Sequence, residues 1–169
     1  MAPYTAARLD GEADHLMRVG AWGGASLVGG LIAATLSDSD AASAYGLQSV
    51  AWGAINLGIA GTVLSRRAPP AEVTYEAERA AERRLQRLLG INLALNSGYI
   101  LVGGATALSA PEGTRGARQR GHGSAIVVQG AALMLLDAVA YHDSRRRSAT
   151  LQHVRLTASP SGAHLSIRL

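Results

Sequence analysis

VGAWGGASLVGGLIAATLS, residues 19–37, runs for nineteen positions without an ionisable side chain. A helix rises 1.5 Å per residue, so about 20 residues cross a hydrocarbon core of roughly 30 Å. Three further stretches match it in kind: 41–65 with twenty-five residues, 88–111 with twenty-four, and 123–141 with nineteen, in which Asp137 is the single acid. A soluble bundle needs polar outer faces on its helices, and these segments have none. The expected fold is therefore an all-α membrane protein, four transmembrane helices in a bundle with spans at about 17–37, 43–65, 86–110 and 122–142.

Composition agrees with that reading. The chain has 169 residues, 48% hydrophobic and only 17% charged, against roughly 25% charged in an ordinary soluble domain. One domain is expected at this length. Cysteine is absent, which excludes disulfides, thiolate metal sites, a cysteine nucleophile and a covalently attached c-type haem.

Arginine placement gives the orientation. With both termini inside, thirteen of the sixteen basic residues are cytoplasmic, and only Arg115, Arg118 and Arg120 lie outside. The positive-inside rule selects this topology, in a bacterial cytoplasmic (inner) membrane. Ala42-Ser43-Ala44 resembles a signal-peptide cleavage site. An h-region usually runs 7–15 residues, however, and Asp10, Glu12 and Asp14 precede this one. The first span is expected to be retained. The basic residues follow the membrane edge rather than forming a patch with stacking aromatics, so no nucleic-acid partner is expected.

Outside the spans, Pro69 and Pro70 precede a helical pattern over 71–87, expected as a solvated cytoplasmic extension of span three. Residues 111–123 are rich in Gly and Arg and read as an exposed external turn. In the tail, 147–169, apolar residues alternate from Val154 and again from Ala163, around Ser-Pro-Ser-Gly at 159–162. That pattern predicts a short C-terminal β-hairpin, which is marginal alone in water and so packs on this protein's inner surface or on a partner.

Polar groups inside a span are costly unless they face the bundle interior. Asn92 and Asn96 share a face of span three, Asn56 lies in span two, and Gln129 and Asp137 lie in span four. These five form the expected intramembrane polar cluster, with Arg18 as the expected ion-pair partner of Asp137. Small residues at four-residue spacing, among them Gly20, Gly24, Gly29 and Gly58, are expected to pack the helices. Haem ligation would need two histidines facing each other within the bundle, and no span carries a central one. There is no P-loop, HExxH or G-x-S-x-G. No metal, cofactor or enzymatic activity is expected, although a pigment, quinone or lipid between the spans remains open.

The stretches INLALNSGYILVGG (91–104) and GHGSAIVVQGAALMLLD (121–137) resemble a group of small, uncharacterised four-helix bacterial membrane proteins. The resemblance implies that the Asn, Gln and Asp positions belong to the bundle core, and it carries no activity. The functional expectation is a non-catalytic accessory or assembly subunit of a larger, energy-transducing membrane complex. The alternatives are a small homo-oligomeric transporter or channel acting through the Asn/Asp cluster, and a binder of a pigment, quinone or lipid. Expected partners are the bilayer and either other membrane subunits or further copies of the chain.

Overall fold

Four long helices dominate the chain: α1 (Ala2–Leu36), α2 (Asp40–Ser65), α3 (Tyr75–Leu108) and α4 (Gly113–His153). The structure, a computed structural model, describes residues 2–68, 74–159 and 162–167, and side chains as far as Leu151. The expected helix start at 69–73 and the centre of the expected turn at 159–162 lie outside the described residues. After α4 come two six-residue strands, β1 (Val154–Ser159) and β2 (Gly162–Ile167), paired antiparallel.

All four helices are long and apolar enough to cross a membrane. Three of them are longer than one crossing needs. At 1.5 Å per residue α1, α3 and α4 measure about 52, 51 and 61 Å, against about 39 Å for α2. Their surplus lies at one end, where the N-terminal parts of α1 and α3 meet the C-terminal part of α4.

Burial in this bundle is inverted relative to a soluble protein. Among the described residues the buried side chains include Arg8, Glu78, Glu82, Asn56, Asn96, Gln129 and Asp137, whereas Leu31, Ile32, Ile59, Leu101, Val102 and Leu135 are exposed. A soluble bundle hides its large aliphatics and leaves charges outside. Lipid tails are as apolar as leucine, so in a bilayer the aliphatic perimeter costs nothing, and helix association rests on close packing and interhelical hydrogen bonds.

The packed pairs are α1 with α2, α3 with α4, and α4 with both α1 and α2; α2 and α3 are not among them. Within the two main pairs the backbones approach at glycines seven residues apart. A Cβ on Gly23 would lie 2.9 Å from the carbonyl oxygen of Gly53, and one on Gly30 would lie 2.7 Å from that of Gly46. In the other pair, Gly103 would meet the Gly123 carbonyl at 2.7 Å. The buried positions of α3 and α4 keep the same period, Glu82, Leu89, Asn96 and Gly103 against Gly123, Gly130, Asp137, Ser144 and Leu151. A strict seven-residue repeat is the signature of helices supercoiled to 3.5 residues per turn.

That period corrects the expected packing set. Gly20 does pack, since a Cβ there would lie 3.4 Å from the Ala60 Cβ, but around Gly24, Gly29 and Gly58 an added Cβ would meet nothing within 4 Å. Four-residue rows drift off a seam that repeats every seven residues, so those three glycines turn away from it.

The stretch 111–123 is also corrected. Only 109–112 form the connection, and α4 begins at Gly113, whose φ of +85° favours glycine. Arg, Gln and Ala are good helix formers, and the glycines that looked like loop residues are contact points: Gly121 lies against Ala41 of α2 and Gly123 against Gly103.

Candidate functional site

Three polar layers are stacked along the bundle axis, and each is set by residues at alternating three- and four-residue spacing on α1. Thr5, Arg8, Glu12, His15, Val19, Trp22 and Ser26 form one stripe, the inward face of a supercoiled helix.

The first layer lies in the extension of α1, α3 and α4. Arg8 donates through Nε to Glu78 Oε2 at 2.7 Å and through Nη2 to Oε1 at 3.3 Å, and its Nη1 reaches Glu12 at 2.7 Å. Thr5 Oγ1 adds a bond to Glu78 at 2.9 Å. One turn further on, Glu82 accepts from Tyr4 at 3.2 Å, from Arg147 Nε at 2.8 Å and, at close range, from Ser144. Gln86 completes the network by donating to Ser144 and Ser148. The hydrogen bond from Arg8 holds the Glu78 carboxyl below its usual range, against the opposing effect of burial. The same bond raises the Arg8 guanidinium, and burial followed by the Glu82 charge raises the Tyr4 phenol.

Here the expectation of a solvated extension is corrected. Glu78 and Glu82 are each 1% exposed, whereas Glu76, Arg79, Arg83, Arg84 and Arg87 are exposed. Sequence reasoning treated the N-terminal part of α1 as a flank, so it supplied no partner for these acids.

The second layer holds Asp137. Its Oδ2 accepts from the Asn96 amide at 2.9 Å, and its Oδ1 lies 3.2 Å from His15 Nε2. The expected partner, Arg18, is exposed and falls off the inward stripe, three residues past His15. Asn56, Asn92, Asn96 and Asp137 share one cavity of about 340 Å³ between α2 and α3, with His15 in its floor. Trp52 and Tyr99 meet edge to face across it, their ring centroids 5.1 Å apart. Four of the five expected cluster residues are thus brought together.

Gln129, the fifth, belongs to the third layer, two turns along α4. It is 2% exposed, accepts from Trp22 Nε1 at 2.8 Å and donates to Ser26 at 3.0 Å. A second cavity of about 220 Å³ borders it, with Ser26, Tyr45 and Ser49 among its walls. Among the described residues, three buried polar atoms have no hydrogen-bond partner: Ser49 Oγ, Asn56 Nδ2 and His122 Nδ1.

Chemically, the first layer is an ionic clamp, with every carboxylate matched by a donor. The second differs, because it combines a held carboxylate with an unmatched amide and open space. Comparison with curated proteins and with solved structures finds no match. A family model does match, over residues 18–138, a range that holds the third layer and the Asn56, Asn92, Asn96 and Asp137 of the second, and leaves His15 and the first layer's α1 and α4 residues outside it. The chain belongs to a family of unknown function, DUF6992.

Proposed function

We propose that this chain is a multi-pass protein of the bacterial inner membrane, with both termini in the cytoplasm, serving as a non-catalytic accessory or assembly subunit of a larger membrane complex. The observation that carries the reading is the inverted burial. Ionic and amide groups bond to one another inside, and an aliphatic perimeter is left for lipid or for other helices. The charged residues of the inner layer are already matched with one another, as expected of a clamp rather than a reaction centre. The paired strands at the end of α4 form a two-stranded sheet with two outer edges that a partner's strand could extend. The basic face of α3, with Arg79, Arg83, Arg84 and Arg87, suits the anionic cytoplasmic leaflet.

The test is extraction of the protein from its own membrane in mild detergent, followed by native mass spectrometry. Heterologous subunits in fixed ratio are the expected result, and a homo-oligomer with no partner would overturn the subunit reading in favour of transport. Because the chain lacks cysteine, single substitutions S37C and R84C report orientation by labelling from either side. The R84C variant should be labelled only from the cytoplasmic face.

A further inference from the structure

Of the two cavities that border an unmatched buried polar group among the described residues, the cleft between α2 and α3 is the larger, about 340 Å³ against 220 Å³. Asn56 is 4% exposed, it lines the cavity, and its Nδ2 has no partner. An unmatched amide donor in a low-dielectric site costs free energy, and an acceptor oxygen lying against it would remove that cost. The cavity's outer walls are aliphatic: Ile55, Ile59 and Leu95 line it and are each about half exposed on the perimeter. Trp52 and Tyr99, on the same faces of α2 and α3, supply aromatic surface.

We infer that this cleft binds an amphiphile of the lipid phase, with a carbonyl-bearing head against Asn56 and a tail lying outward over Ile55, Ile59 and Leu95. The volume, about 340 Å³, lies at the small end of the usual ligand-pocket range of about 300–1,000 Å³. It is too small for a partner's helix, whose diameter is about 10 Å. Asn56 stands nine residues before the end of α2 at Ser65, about 14 Å along the axis, deep enough for a head that has left the aqueous interface. An isoprenoid quinone and an acyl-ester lipid both present this chemistry. The site rests on the embedding proposed above.

The experiment uses the full chain in nanodiscs of an ether-linked phosphatidylcholine, which contains no carbonyl. Decylubiquinone is titrated against tryptophan emission, with Trp52→Phe identifying the signal from the cleft. In a second arm, dioleoylphosphatidylglycerol is added and retained lipid is counted by native mass spectrometry. Saturable quenching that weakens about fivefold or more in Asn56→Leu, and is abolished when Ile59→Phe narrows the cleft, identifies a quinone head. One retained ester lipid per chain, lost in the same two variants, identifies an acyl lipid. Binding of neither probe, or binding indifferent to both substitutions, overturns the site and leaves a cleft that holds water only. Asn56→Leu serves as its own folding control, because it removes an amide that bonds to nothing in the bundle and its thermal midpoint should not fall. Failure of the chain to enter nanodiscs at all would overturn the embedding itself, an outcome distinct from an empty cleft in an incorporated protein.

Discussion

Asp137 on α4 is held from two sides, by the Asn96 amide of α3 at 2.9 Å and by His15 Nε2 of α1 at 3.2 Å. One carboxylate thereby ties together the two helix pairs, α1 with α2 and α3 with α4. Removing either neighbour leaves a buried acid short of a partner, and such losses cost on the order of 1–3 kcal/mol. His15→Ala and Asp137→Ala should each lower the thermal midpoint in detergent, and the double variant should lose less than the sum, with a coupling of about 0.5–3 kcal/mol. Arg18→Ala should stay within about 0.5 kcal/mol of the parent, as surface changes do. A full additive loss would mean that the two residues act independently.

The clamp in the extension makes stability depend on pH in a stated direction. Arg8 holds the Glu78 carboxyl below the ordinary value of 4.5. In the unfolded chain that carboxyl titrates near its ordinary value, so the stabilisation is fully present above that pH. It is lost as pH falls through the lower folded value. Thermal midpoints measured from pH 7 downward should hold until about pH 4–5 and then decline. Glu78→Gln should flatten this acid limb, and Arg8→Met should destabilise at pH 7 by about 3 kcal/mol, since it leaves Glu78 buried without its cation. An acid limb unchanged in Glu78→Gln would assign it to other carboxyls.

Glycine position separates two packing schemes that the sequence alone allows. At Gly53 an added Cβ would lie 2.6 Å from the Gly23 carbonyl oxygen, while at Gly24 and Gly58 it would meet nothing. Backbone cannot yield as a flexible side chain can, so Gly53→Ala should cost about 1–3 kcal/mol through helix displacement. Gly24→Ala and Gly58→Ala should be neutral or stabilising by up to about 1 kcal/mol, because alanine loses less entropy in a helix. Thermal midpoints of the three variants decide the matter, and equal losses at all three would refute the seven-residue seam.

Composition and length alone made the helices and most of the polar cluster legible. Four long apolar runs, interrupted only by Asp137 in the last, dictate four helices, and Asn96 and Asp137 are buried together because a polar side chain in a span is costly unless it faces the bundle interior, with Asn92 on the same cavity. Partner identity was harder. Arg18 and His15 are both near enough along the chain to reach Asp137, and charge favours the arginine. Only the stripe Thr5, Arg8, Glu12, His15, Val19, Trp22, Ser26 excludes it, and that stripe is visible only once α1 is extended back to Ala2. Asp10, Glu12 and Asp14, which in the sequence speak only against a cleaved signal peptide, lie on that extension, and Glu12 bonds to Arg8. Glycine misled in the other direction at 113–123, where residues that usually break helices are the ones that let α4 approach α2 and α3.

The Gln129 layer offers two contrasting substitutions that line one cavity. Gln129 accepts from Trp22 Nε1 at 2.8 Å and donates to Ser26 at 3.0 Å, so Gln129→Leu strands the indole N–H and the serine together. That should cost about 1–3 kcal/mol, by the penalty for leaving a buried donor unsatisfied. Ser49 lines the same cavity, is buried to 2% exposure, and its hydroxyl bonds to nothing. Ser49→Ala therefore removes an unmatched polar group and should be neutral or stabilising. The two variants measured by thermal unfolding in one detergent form the comparison, with Trp22 emission as a second readout that only Gln129→Leu should shift. A loss in Ser49→Ala equal to that in Gln129→Leu would mean that the Ser49 hydroxyl has a partner within that cavity.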